Sequence, residues 1–475
     1  MKNIKKLEPI HIVGIGGIGM SAIAEVLHDQ GIAVRGSDQK DGANVRRLTA
    51  KGINVSVGHN AANVEGAGLV VLSSAVKAGN PELEAARSCS LPVWDRAEML
   101  AQLMENYKTI SVTGTHGKTT TTSMIAWIFE QAGLDPTVIT GGIINAWGSN
   151  ARIGHGEWMI VEADESDGTF VKLPTRIGVV TNIDPEHLDF YKSVDVMEAT
   201  FGQFFDRIQP DGVAIVGVDH PVARRFFEAG REKGRHLLGY GAAADADLRL
   251  EALRPGNGKI HFDTHLNSSV KGGARNIDDM ALPVPGHYNT LNAMAAVAVA
   301  TEAGIDDATI RAALASFPGV KRRFTQTGTW NGVAFYDDYA HHPAEIAAVI
   351  GAARGATRGR VVVVAQPHRY SRLKNLFSDF CECFAEADTV MITPVYTAGE
   401  SPNGVDRDTL VDGLHKHGHD CVMPVADEGA LTDLVAASVK PGDLVIGVGA
   451  GTITEWMHAL PNRLALRDQK LDAAE

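Results

Sequence analysis

Short apolar runs that end in glycine or a polar cluster, each followed by a helix-spaced stretch, recur along this chain. Pro9-Ile-His-Ile-Val-Gly14 reads as a strand and Gly14-Ile-Gly-Gly-Ile-Gly19 as a turn. Met20 to Gln30 then carries apolar residues at helical spacing. A second strand, Ala33-Val-Arg-Gly-Ser37-Asp38, and a third, Leu69-Val-Val-Leu-Ser-Ser74, lead to a helix over Pro81–Ser88. The same rhythm returns at Ile110-Ser-Val-Thr113, Trp158-Met-Ile-Val-Glu162, Ile177-Gly-Val-Val180, Arg360-Val-Val-Val-Val364 and Leu444-Val-Ile-Gly-Val448. Residues 213–271 read as strands with glycine turns, and Pro285-Gly-His-Tyr-Asn289 opens an alanine-rich helix to Ala303. Strands alternating with helices predict an α/β protein with mostly parallel sheets.

A single core stops growing at ~250–300 residues, so 475 residues call for several domains. Breaks near Lys108 and at Phe317-Pro-Gly319 predict three, over 1–108, 109–318 and 319–475. The net charge of −13, with no run of five like charges, argues against nucleic acid or an anionic membrane as partner. A polyanionic ligand then has to be held by local basic groups and helix ends. Four cysteines (Cys89, Cys381, Cys383, Cys421) make no disulfide framework, and Cys381-Glu-Cys383 is not zinc-finger spacing. Lys2, Lys5 and Lys6 precede a run too rich in glycine for a signal helix, and no apolar segment reaches the ~20 residues that span a bilayer. A cytoplasmic protein without membrane insertion is expected, a monomer or weak homodimer.

The chemistry concentrates at Thr113-Gly114-Thr115-His116-Gly117-Lys118-Thr119-Thr120. After a strand and before a helix, the two glycines leave backbone N–H groups bare, Lys118 adds a point charge, and the Thr119 hydroxyl suits Mg²⁺. Only Thr115 and His116 separate the glycines, where the usual phosphate loop has four residues. The run Glu162-Ala-Asp-Glu-Ser-Asp167 ends an apolar strand, and such a strand beside a phosphate loop delivers a carboxylate to the metal, Glu162 first among them. The alternative is a solvated acidic turn. His187 in Asn182-Ile-Asp-Pro-Glu-His187 is either a metal ligand or a surface histidine. Asn289 and Asn292 share one helix face and either read an adenine edge or cap and pack the helix start.

The first glycine turn, with Gly16, Gly17, Ile18 and Gly19, is followed about 20 residues on by Asp38, the dinucleotide fingerprint. A UDP pyrophosphate makes the same demands as NAD on such a turn. His59 and Ser73-Ser74 fall at strand ends, where ligands of parallel sheets bind. Arg369 and Arg372 tip the Arg360–Val364 strand, and paired arginines suit carboxylate or phosphate recognition.

Taken together, Thr113–Thr120, Glu162–Asp167, Thr181–Asp189, His287–Asn292 and Asp337-Asp-Tyr-Ala-His-His-Pro343 resemble the Mur ligase family in order and spacing, essentially end to end. Gly14–Met20, Gln366–Arg372 and Val395–Glu400 are most similar to its alanine-adding branch. The resemblance implies an N-terminal Rossmann-like domain for a UDP-sugar, a central P-loop ATPase-like domain and a C-terminal Rossmann-like domain for the amino acid. It implies ATP and Mg²⁺ as cofactors, with UDP-N-acetylmuramate and L-alanine as substrates, joined through an acyl phosphate in peptidoglycan precursor synthesis. By that likeness Lys118 contacts the β/γ-phosphates, Thr119 and Glu162 hold Mg²⁺, and His187 ligates a second. Asn289 or Asn292 meets adenine, and Arg323 and Asp337 reach the ATP. Tyr339, His341, Arg369 and Arg372 surround the alanine, with His341 as candidate base. The first glycine loop, Asp38 and His59 take the UDP-sugar rather than NAD. Later-acting members carry a modified lysine shortly past the metal histidine, where this chain has Thr200-Phe-Gly-Gln203.

Overall fold

The computed structural model describes residues 2–73, 75–256 and 259–472, so Ser74 lies outside the described residues. Met1–Ala252, Phe262–Ala281 and Leu291–Pro318 form one compact unit, and Leu253–His261, Leu282–Thr290 and Gly319–Glu475 the other.

The first sheet holds β1 (Ile10–Val13), β2 (Val34–Asp38), β3 (Asn54–Val57), β4 (Leu69–Leu72) and β5 (Val93–Asp95), in the order β3-β2-β1-β4-β5. All its pairs are parallel. The order reverses direction at β1, which is where ligands of such sheets bind. The helix after β1, Ile18–Asp29, begins two residues earlier than its apolar spacing predicts, because Gly17 serves as N-cap with no side-chain cap.

The second sheet runs through β6 (Lys108–Thr113), β7 (Thr137–Ile144), β8 (Ser149–Arg152), β9 (Trp158–Glu162) and β10 (Thr175–Val180). It continues with β11 (Ile208–Gly217), β12 (Leu237–Gly241), β13 (Leu248–Gly256), β14 (Lys259–Leu266) and β15 (Arg275–Leu282). Its order is β15-β14-β13-β12-β11-β10-β6-β9-β7-β8, with β10, β6 and β9 paired in parallel at the centre. Residues 213–271 were expected to be strands joined by glycine turns, and the structure corrects this in one place: Pro221–Glu232 is a helix. Pro221 sits in its first turn, where the missing N–H costs nothing, and Ala223, Phe227 and Gly230 form its buried face.

The third sheet, in the second unit, has β16 (Thr325–Trp330), β17 (Val333–Asp338), β18 (Val361–Ala365), β19 (Thr389–Ile392), β20 (Val422–Pro424) and β21 (Leu444–Val448). Its order is β16-β17-β21-β18-β19-β20, antiparallel only at β16–β17. Strands β1, β18 and β21 are buried along their whole length. That is why they read as continuous apolar runs rather than alternating ones: helices cover both faces of a parallel sheet. Cys381 is buried and Cys383 half-buried, and all four cysteines are free thiols. No helix among the described residues is long and apolar enough to cross a membrane.

Candidate active site

The glycine loop Gly114–Gly117 follows β6 directly. Gly114 has φ +126°, and a Cβ there would stand 2.1 Å from Thr181 Oγ1. Gly117 has φ +81°, and its Cβ would stand 2.4 Å from Asn292 Oδ1. Neither position tolerates a side chain, so the loop closes tightly onto its neighbours. Gly117 caps the helix Lys118–Gln131 without any side-chain acceptor, so the first N–H groups of that helix are left to an anion. The end of β10 clamps the loop. Asn182 Oδ1 accepts from His116 N at 2.8 Å, and Thr115 Oγ1 accepts from Asp184 N at 2.8 Å. Asp184 also lies 2.9 Å from His220 Nε2 and 3.4 Å from His116 Nε2. Hydrogen bonds from His116 and His220 hold its carboxyl well below the usual carboxylate range.

Lys118 Nζ donates to the carbonyls of Gly114 (2.7 Å) and Thr115 (2.9 Å) and lies 2.7 Å from Glu165 Oε2. Burial alone would depress its pKa, but Glu165, Asp164 and Glu162 outweigh that and keep the ammonium charged. Glu165 is 2% exposed, and burial pushes it up to about 7 against the opposing charge of Lys118. Beside this pair, Thr119 Oγ1 donates to Glu162 Oε1 at 2.9 Å, and Glu162 Oε2 accepts from Thr140 Oγ1 at 3.0 Å and from Gly141 N. Parallel register sets this up: Glu162 ends β9 opposite Val112 of β6.

A carboxylate oxygen each from Glu165 and Glu186 and a nitrogen of His187 lie within 4.8 Å of one another. His187 adopts φ +56°, and its Nε2 sits 3.6 Å from Glu165 Oε1. Hard oxygen donors predominate at both places, Thr119–Glu162 and Glu165–Glu186–His187, as Mg²⁺ requires. Sequence reasoning passed over Glu186 and ranked Glu165 below Glu162. Glu165 stood in the acidic run, but nothing in a run says which carboxylate turns inward. Asn292 belongs to this cluster through Thr121 Oγ1, which donates to its Oδ1 at 3.2 Å.

Elsewhere in the same unit, a cavity of about 660 Å³ is lined by Gly14, Gly17, Asp38, His59, Ser73 and Lys77 among others. Asp38 Oδ2 accepts from Gly16 N at 2.9 Å, tying the turn to the end of β2. Ile18 is 50% exposed at the opening of its helix. His59 Nδ1 lies 3.2 Å from Ser37 Oγ and 3.5 Å from Glu82 Oε1. Glu82, fully buried, is the hub beneath it, accepting from Ser37 Oγ (2.5 Å), Asn63 Nδ2 (2.6 Å), Asn60 N (3.2 Å) and a His11 nitrogen at 3.2 Å. Burial would raise its pKa, but those hydrogen bonds, His11 first, bring the carboxyl down to about 2. In the sequence Glu82 looks like an ordinary acid in the first turn of a helix.

The second unit gathers Tyr339, His341, Arg369 and Arg372. The guanidinium groups of Arg322 and Arg323 stand 4.8 and 5.4 Å from the Tyr339 ring. Tyr339, His341, His368 and Tyr396 then follow in a row, with centroids 5.2, 5.6 and 5.5 Å apart. His341 Nδ1 donates to the Tyr339 carbonyl at 2.9 Å, which in the neutral ring leaves the lone pair on Nε2. Burial, with the charges of His341, Arg372 and Arg369, lowers His368 to about 4, so its ring is neutral at pH 7. Arg372 Nη1 lies 3.4 Å from His368 Nδ1. Arg369, at φ +69°, puts Nε 2.6 Å from Glu400 Oε1, and Glu400 also accepts from Ser371 N and Oγ. Asp337 is fully buried, accepting from Thr454 Oγ1 at 2.6 Å with Arg322 at 3.5 Å. Its neighbour Asp338 accepts from Phe324 N and Ala340 N, and burial pushes it up to about 6. Asn289 donates its amide to the Pro285 carbonyl at 2.7 Å.

Three family models match the chain in series: the Mur ligase family catalytic domain over residues 9–108, the Mur ligase middle domain over 112–300 and the Mur ligase glutamate ligase domain over 322–451. Among curated relatives, a UDP-N-acetylmuramate–L-alanine ligase of Nitrobacter hamburgensis is 54% identical over 98% of this chain and 99% of its own length. One of Bradyrhizobium sp. strain BTAi1 is 53% identical over the same shares. Among solved structures, a UDP-N-acetylmuramate–alanine ligase from Thermotoga maritima superposes with a TM-score of 0.79 at 29% identity, covering 97% of this chain and 99% of that one. A murein peptide ligase from Psychrobacter arcticus shares the fold, with a TM-score of 0.68 at 22% identity over 96% and 98% of the two chains.

Proposed function

The chain belongs to the Mur ligase family, and from that premise we propose that it joins L-alanine to the lactyl carboxylate of UDP-N-acetylmuramate at the expense of ATP. The product is a cytoplasmic precursor of peptidoglycan. The observation that carries this reading is the row Lys118–Glu165 and Thr119–Glu162 beside an uncapped helix N-terminus.

A carboxylate is a poor acyl donor, since its leaving group would be oxide. Transfer of the γ-phosphoryl group makes an acyl phosphate, which an amine attacks with phosphate leaving. The protein's part in phosphoryl transfer is mostly positioning and charge neutralisation. The bare N–H groups at Gly117–Thr119 and the Lys118 ammonium take the triphosphate. Thr119 and Glu162 would hold one Mg²⁺, and Glu165, Glu186 and His187 would hold a second. Bound there, the metal supplies positive charge that offsets repulsion between the carboxylate and the triphosphate. Asn289 or Asn292 meets the adenine, and Arg323 and Asp337 serve the ATP. The glycine turn, Asp38 and His59 take the UDP-sugar. In the second unit, Arg369 or Arg372 takes the alanine carboxylate, and His341 Nε2 accepts the ammonium proton before the amine attacks.

The test is oxygen transfer. With ¹⁸O in the lactyl carboxylate, one labelled oxygen should leave in the inorganic phosphate; unlabelled phosphate would refute the acyl phosphate.

A further inference from the structure

We propose that Arg96 is an anion-binding residue of the sugar-nucleotide site, set between the first glycine turn and the acidic end of β9. It takes the diphosphate or the lactyl carboxylate of the donor. The inference rests on the reading above that this unit binds UDP-N-acetylmuramate.

Arg96 opens the helix Arg96–Met104, whose start is fixed by a reciprocal cap between Asp95 and Glu98. That cap anchors the backbone while the side chain crosses to two other elements. On one side, a Cβ at Gly19 would stand 3.2 Å from Arg96 Nη1 and 3.4 Å from its Cδ. A side chain at the last glycine of the turn would press on this arginine and shift it by a few tenths of an ångström. On the other side, Arg96 Nη2 lies 3.5 Å from Asp164 Oδ2. Asp164 stands two residues beyond Glu162, in the cluster that surrounds Lys118. All of these residues belong to one compact unit.

The pairing itself is loose. A charge-assisted bond between guanidinium and carboxylate closes to ~2.7–2.9 Å and is often two-pronged, whereas this contact is single and 3.5 Å long. Yet the Arg96 side chain is only 20% exposed. An arginine with five donors, most of its side chain covered and, among the described residues, one distant partner is placed for a further anion. The need for one is clear from the charges. Glu162, Asp164 and Glu165 surround Lys118, and Lys118 is held by Glu165 at 2.7 Å, so its charge is committed to that cluster while the Arg96 fork faces the glycine turn. Asp164 then acts as the group that holds Arg96 in the gap until the ligand arrives.

Arg96→Met keeps the aliphatic stem packed on Gly19, and Arg96→Lys keeps the charge but not the fork. Affinities for UDP, UDP-N-acetylglucosamine and UDP-N-acetylmuramate are measured calorimetrically for wild type and both variants, with steady-state KM values for all three substrates. Loss of a charged hydrogen-bond donor predicts a ~10–100-fold weaker Kd for UDP-N-acetylmuramate in Arg96→Met, an unchanged KM for ATP, and partial recovery in Arg96→Lys. Equal loss for all three ligands assigns the diphosphate, and loss confined to UDP-N-acetylmuramate assigns the carboxylate. Affinities unchanged from a wild type that does bind, or a matching loss of ATP affinity, overturn the inference. A wild type that fails to bind UDP-N-acetylmuramate overturns the function reading instead.

Discussion

Glu82→Gln removes a buried charge while keeping its shape, and the effect on stability has a definite sign. The Glu82 carboxyl moves from 4.5 to about 2 on folding. At 1.36 kcal/mol per pH unit this gives about 3 kcal/mol of stability. The side chain is fully buried, so solvent screening removes little of that. Because the folded pKa is depressed, the contribution is fully present above the unfolded value and lost as pH falls from about 4.5 towards 2. Roughly half should be gone by pH 3. Glutamine also puts an amide N–H₂ where one carboxylate oxygen stood, facing either Ser37 Oγ or the pair Asn60 N and Asn63 Nδ2, donors in both cases, which adds ~1–3 kcal/mol of unmet hydrogen bonding at neutral pH. Urea unfolding of both proteins from pH 7 to pH 3 is the assay. Subtracting the two curves cancels every other carboxylate. The gap between wild type and variant should be widest at pH 6–7 and shrink by over 1 kcal/mol at pH 3. His59 and Asn60 lose their anchor at the same time, so KM for the sugar nucleotide should rise while KM for ATP stays put. Parallel curves across the whole range would refute the assignment of Glu82 as a charged hub.

Lys118→Ala should lower kcat by ~10²–10³, the scale for losing one preorganised charge in a phosphoryl-transfer site; a near-wild-type turnover would remove it from the chemistry. Gly117→Ala places a Cβ 2.4 Å from Asn292 Oδ1 at φ +81°, so ATP affinity should fall at least ~10-fold by equilibrium binding, and Asn292→Ala should restore only part of it, since the backbone strain remains. Glu400→Ala strips Arg369 and Ser371 of their shared acceptor; KM for alanine should rise ~10-fold or more with KM for the sugar nucleotide unchanged, and the opposite pattern would detach this pair from the amino-acid site. His341→Ala should abolish the acidic limb of the kcat/KM profile for alanine, and an unaltered profile would exclude it as the base.

Much of this architecture was legible because its signals are local. A glycine turn after an apolar run specifies strand, loop and helix together, and both such corners, Gly14–Gly19 and Gly114–Gly117, stand where the pattern put them. The long-range acids were not legible. Glu82 becomes a hub because β1, β2 and its own helix converge on it, and Glu165 turns inward because Lys118 waits there. Neither fact follows from neighbours in sequence. The helix Pro221–Glu232 was obscured by flanking strands, although Pro221 and its amphipathic spacing carried the signal. Arg96 was invisible for a different reason: it opens an unremarkable helix, and only the fold brings Gly19 and Asp164 to it. In the second unit the paired motifs Gln366–Arg372 and Val395–Glu400 were noticed as strings, but the stacking of His368 on Tyr396 and the Arg369–Glu400 pair needed β18 and β19 side by side.

The most direct test is inorganic phosphate release with UDP-N-acetylmuramate, ATP and Mg²⁺, supplied with L-alanine, other amino acids or short peptides in turn. The account predicts release that needs all three substrates, with L-alanine preferred, and a UDP-N-acetylmuramoyl-alanine product formed one for one with phosphate. Steady ATP hydrolysis that ignores the amino acid, or turnover with a peptide but not with alanine, would contradict it.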